Sequence, residues 1–179
     1  MEMIQLSANI FRIIAFGYSL FLIAMVPITR SITDWMKANS LLVPITGLVG
    51  TFFILGIILW FSQKLKKLSR YQIVLFVFLV GLYGTIFTTL HYPIECFHFI
   101  NFSLLFIFFQ NSIPENWPQI DHITWPIILT LFVGTIDEFI QAIIPNRHGE
   151  FGDLLYCAYA IVLGQLLHIS LGYHLPKKA

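Results

Sequence analysis

Hydrophobic residues run along this chain in long blocks, without the strict alternation of a half-buried strand or the polar face of a soluble surface helix. The blocks are Ser7–Ile28, Leu41–Phe61, Tyr71–Leu90, Ile94–Gln110, Thr124–Ile144 and Asp153–Gly172. Each is about long enough, as a helix rising ~1.5 Å per residue, to cross a hydrocarbon core of ~30 Å. The pattern predicts an all-α fold, a polytopic transmembrane helix bundle of about six transmembrane helices, organised as a single integral membrane domain over residues 1–179. The fourth block is the shortest and holds Glu95, His98 and Asn101 in its first two turns. If it does not span, it is expected to pack inside the bundle, because polar backbone at membrane depth needs cover from protein or water. The first block begins with Glu2 rather than a basic region and has no small-residue cleavage site, so it reads as a retained segment.

Composition agrees with this reading: 58% of residues are hydrophobic and 11% charged, against about 45–50% apolar in soluble domains. Mean hydropathy is +0.81. Membrane lipid is therefore the expected partner, and a net charge of +1 gives no reason to expect nucleic acid. The basic residues set an orientation. Lys64, Lys66, Lys67 and Arg70 lie in one connection and Lys177 and Lys178 in the tail, so the positive-inside rule places both termini in the cytoplasm. The connections around His91–His98 and Pro145–Asp153 then face outward.

Against that apolar background the polar exceptions carry the functional signal. Asp137, Glu138 and Gln141 lie inside the fifth block, where a carboxylate near the bilayer centre costs on the order of 2.5–3.5 kcal/mol. Gln141 is spaced i,i+4 from Asp137 and i,i+3 from Glu138, so its amide can reach either acid on one helical face. Glu95 and His98 are also i,i+3, and they fall at about the depth of Glu138 and Gln141 below the outer surface. Glu95, His98, Asp137 and Glu138 are the candidate acid–base residues, since buried carboxylates and histidines suit proton transfer. Gln141, Arg147 and Asp153 are candidate ligand-binding residues. Arg147 can grip a phosphate or carboxylate with its planar fork, or pair with Asp153, itself a candidate N-cap of the last helix.

A metal was weighed on His91, Glu95, Cys96, His98, Asp137 and Glu138. Pro93 is expected to start a helix and leave His91 in the loop, and no HExxH or clustered-cysteine spacing is present, so no metal or other cofactor is expected. Cys96 and Cys157 both fall near outer helix ends, which permits a disulfide geometrically.

The block Glu95-x-x-His98-Phe99, followed by Asp137-Glu138-x-x-Gln141-x-x-x-Pro145-x-Arg147 and Asp153 at the next helix start, resembles the VanZ-like family, named for a teicoplanin-resistance protein of bacteria. The resemblance covers about residues 95–164. The family usually has Tyr four positions after the histidine, and Asn and then Gly in the last helix, where this chain has Phe102, Cys157 and Ala160. The resemblance implies a small multi-pass protein of the bacterial cytoplasmic membrane linked to the cell envelope or to glycopeptide resistance, without supplying a reaction. Two classes of function follow from the residues. In one, an outward polar cavity binds or processes a lipid-linked or anionic envelope substrate. In the other, the cavity belongs to a non-catalytic transporter, or its polar residues only hold the bundle together, alone or with a membrane-protein partner.

Overall fold

The computed structural model describes residues 2–89, 93–114, 116–144 and 151–172. Six α-helices follow one another: α1 Glu2–Ala38, α2 Leu42–Lys64, α3 Arg70–Thr89, α4 Pro93–Ser112, α5 Gln119–Ile143 and α6 Phe151–Ser170. A 3₁₀ helix, Leu65–Lys67, connects α2 to α3, and no strand occurs among the described residues. Four stretches are long and apolar enough to cross a membrane: Ala8–Thr29, Leu42–Lys67, Gln119–Ile143 and Gly152–Ser170. The apolar stretch of α3, Arg70–Ile86, is shorter, and α4 does not reach the threshold within its described residues. By length and hydropathy, then, four of the six expected spans are supported.

α1 runs 37 residues, about ten beyond the end of its apolar block. Polarity rises after Ile28, but nothing there breaks a helix. The Thr29 and Thr33 hydroxyls bond back to the Met25 and Thr29 carbonyls at 2.7 Å, so neither competes for a turn. The stop comes at Ser40, whose φ of 55° lies in the left-handed region, with Leu41 N–H donating to the Met36 carbonyl at 2.8 Å.

α4 occupies the centre, packed against α1, α2, α3, α5 and α6. None of its residues from 97 to 112 is exposed. Its seam with α6 is close. A Cβ on Gly164 would lie 3.1 Å from the Phe106 ring and 3.2 Å from the Ser103 carbonyl oxygen, so glycine permits that approach. Ser103 Oγ donates to the Ala160 carbonyl at 3.0 Å and shares a 2.8 Å hydrogen bond with Tyr83 of α3. One hydroxyl thus links three helices. α5 closes on α6 through Gly134, where a Cβ would come within 2.8 Å of Cys157 Sγ.

The outer surface is apolar: Ile13, Val43, Phe52 and Val74 are each more than 60% exposed. That surface suits lipid. At the end holding the basic connection, Ser69 and Gln72 form a capping pair at the start of α3, with Ser69 N–H donating to Gln72 Oε1 at 2.9 Å and Gln72 N–H to Ser69 Oγ at 3.3 Å. Gln72 Nε2 also donates to the Ile169 carbonyl at 3.2 Å, tying α3 to α6. Arg12 Nε reaches the Ser112 carbonyl at 3.0 Å, tying α1 to the end of α4.

Candidate functional site

At the opposite end of the bundle, α4, α5 and α6 each bring one ionisable side chain to a common point. His98 lies between two aspartates, with Nδ1 3.9 Å from Asp137 Oδ2 of α5 and Nε2 3.9 Å from Asp153 Oδ2 of α6. Its ring is held parallel to Phe102, one turn further along α4, at 5.8 Å between centroids. Since i and i+4 share a helical face, Phe102 sets the plane of the imidazole. The three side chains are only 15–22% exposed.

An imidazole nitrogen can donate or accept, and each aspartate offers carboxylate oxygens as acceptors. The 3.9 Å separations are too long for hydrogen bonds and leave room for a bridging water or ligand atom.

Adjacent residues on a helix point about 100° apart, so Asp137 and Glu138 cannot both face His98. Asp137 does. Glu138 is buried and accepts a 3.4 Å hydrogen bond from Gln141 Nε2 on its own helix. Asp153, a candidate N-cap by sequence, sits instead inside the first turn of α6, where its carboxylate is favoured by the helix dipole and reaches His98. Glu95 lies in the first turn of α4, with its side chain outside the described residues, as is that of Cys96. His91 and residues 145–150, Arg147 among them, also lie outside them. The Cys157 thiol is free and buried against the Thr130 carbonyl.

Beside the triad, α1, α4 and α5 line a cavity of about 340 Å³. Its α1 wall is a stripe that includes Phe21, Met25, Thr29, Thr33 and Met36, and its other wall presents His98, Asn101, Asp137 and Gln141. The lining is mostly apolar, with Phe97 and Phe102 beside the polar groups of α4 and Thr29 and Thr33 on the α1 side. Asn101 is fixed by Tyr18, whose hydroxyl donates to Asn101 Oδ1 at 2.9 Å. Tyr18 and the α1 stripe are functional-site residues that hydropathy alone does not mark. Their signal was the recurrence of Met25, Thr29, Thr33 and Met36 at three- and four-residue steps through the point where α1 turns polar.

No family model, curated protein or solved structure matches this chain. The arrangement of the site must therefore supply its own interpretation. Among the described residues, no group of three His, Cys, Asp or Glu side chains is placed to hold a metal ion. What the described side chains offer is a cluster of His98, Asp137 and Asp153 beside a mostly apolar cavity that also presents Asn101 and Gln141.

Proposed function

We propose that the chain is a VanZ-like membrane protein, crossing the bacterial cytoplasmic membrane six times with both termini inside, and that its cavity binds an amphiphilic, lipid-linked envelope substrate at the outer face. The observation that carries this reading is a mostly apolar cavity, suited to an acyl or prenyl chain, with a polar patch of His98, Asn101, Asp137 and Gln141 on α4 and α5. A volume of about 340 Å³ is at the lower end of the ~300–1,000 Å³ usual for small-molecule sites, enough for the junction of head and tail with the remainder in lipid.

In this reading His98 takes or gives a proton while Asp137 and Asp153 hold the imidazole from either side. Gln141 and Asn101 hydrogen-bond the polar part of the substrate, and Arg147, assigned on the sequence pattern, steadies an anionic head group. Glu95 belongs to the same acid–base set by its spacing from His98. Glu138, buried beside Gln141, belongs to the acid–base set by its place in the sequence pattern.

The test is retention of an amphiphile. Native mass spectrometry of the protein extracted from its producing membrane is expected to show a lipid adduct that Met25→Trp, filling the cavity, removes. His98→Gln is expected to leave expression and the adduct in place while abolishing any gain in growth on teicoplanin that the wild type confers. A wild type carrying no adduct beyond that of Met25→Trp overturns the binding reading, and full activity in His98→Gln overturns the proton-transfer role.

A further inference from the structure

The cavity beside His98 is long and narrow. Its α1 lining begins at Phe21 and ends at Met36, ~22 Å along the helix axis. Phe21 lies inside the apolar stretch Ala8–Thr29 and Met36 lies past its end, so the cavity runs from within the membrane-spanning length of α1 to beyond it. Over that length, a volume of about 340 Å³ leaves a mean section of about 15 Å². Apolar atoms pack about 3.5–4.0 Å apart, so one extended hydrocarbon chain needs roughly 10–15 Å² of section, and two side by side need twice that. There is room for one chain.

The end at Phe21 is blocked. α1 and α4 run antiparallel, with Arg12 at the Ser112 carbonyl and Tyr18 at Asn101. Tyr18 precedes Phe21 by about one turn, on the side away from Met36, and its hydroxyl crosses to Asn101 Oδ1 at 2.9 Å. Its ring stacks on Phe21 at 6.2 Å between centroids and meets Phe108 of α4 edge-on at 5.5 Å. Ring and hydrogen bond together close the interval between α1 and α4 just past the last lining residues. His98 stands about one turn from Asn101 in the opposite direction, with Asp137 beside it, so the ionisable groups lie nearer the other end of the cavity.

An amphiphile bound here has its polar part at these groups and its tail along α1. Building on that reading, we infer that the cavity takes one hydrocarbon chain and that Tyr18, braced by Asn101, sets the longest tail it accepts. Lipid is as apolar as the cavity, so a tail gains little by moving from one to the other, and added length brings no tighter binding. A tail longer than the interval from His98 to Tyr18 must buckle against the ring or lift its polar part off His98 and Asp137. Tyr18 is then a specificity-determining residue, separate from the acid–base set and acting on length alone.

Native mass spectrometry of the protein in lipid nanodiscs, incubated with monoacylglycerols of increasing tail length, tests this. The wild type is expected to hold one copy that Met25→Trp removes, with occupancy level across shorter tails and falling several-fold past a limiting length. Tyr18→Ala is expected to move that limit to longer tails. Leu22→Trp, which fills the Phe21 end, is expected to move it to shorter ones, whether or not Tyr18→Ala folds. Equal occupancy by the shortest and longest tails, two Met25→Trp-sensitive copies, or a limit unmoved in Leu22→Trp or in folded Tyr18→Ala overturns the inference and leaves the amphiphile reading standing. No Met25→Trp-sensitive adduct at any length overturns that reading and the inference with it.

Discussion

α2 and α4 make opposite use of the same composition. α2 belongs to the most apolar candidate span, with a mean hydropathy of 2.4, and it sits at the periphery with Val43, Leu48, Phe52 and Leu59 exposed. α4 carries His98, Asn101, Ser103 and Gln110, and it sits at the centre with no exposed residue from 97 to 112. In water the most apolar element would be the core. Where the solvent is lipid, apolar side chains gain little by leaving it, whereas polar side chains must be covered by protein. High hydropathy therefore marks the surface of this bundle, and interruptions in hydropathy mark its interior.

That contrast can be broken experimentally, and the largest effect is expected at the α4–α6 seam. Gly164→Val would push a branched side chain against the Ser103 carbonyl, which is backbone and cannot swing aside. Overpacking of this kind costs about 1–3 kcal/mol or more, so the variant is expected to lose folded yield and to melt well below the wild type in a detergent thermal-shift assay. Wild-type stability would mean that α4 and α6 are not in close contact.

A smaller loss is expected for Tyr83→Phe, which removes the hydroxyl shared with Ser103 but leaves the Ser103–Ala160 bond. Hydrogen bonds between transmembrane helices average about 0.6 kcal/mol, so a Tm drop that is measurable and clearly smaller than that of Gly164→Val is the expected outcome. The smallest effect belongs to α2. Phe52 is 65% exposed, and Phe52→Leu is expected to change stability by no more than about 0.5 kcal/mol. A loss at Phe52 as large as at Tyr83 would show that α2 has a partner on its outer face.

Much of the fold was legible because lipid imposes a simple rule: long apolar blocks become helices, and these blocks fall on α1 to α6. Depth along each helix was also legible, which is why His98 could be assigned to the level of Glu138 and Gln141. Rotation about each helix was not. The choice of Asp137 over Glu138 as the neighbour of His98 depends on how α5 turns toward α4, and two adjacent acids look alike in a sequence. Asp153 was ambiguous for the same reason, since a cap and a site residue can occupy the same first turn. The centrality of α4 and the cavity wall on α1 arise from tertiary packing, to which hydropathy along one segment is nearly blind.

The place of α4 also bears on how the protein is made. A helix with His98, Asn101 and Gln110 along its length is a poor candidate to enter lipid alone, and in the bundle residues 97–112 are buried or half-buried. Its neighbours α1, α2 and α3 precede it in the chain, whereas α5 and α6 follow. During synthesis, α4 emerges when only half of its enclosure exists. Its stable insertion therefore waits on the downstream pair, so the candidate site and the last two helices are completed in the same step of biogenesis.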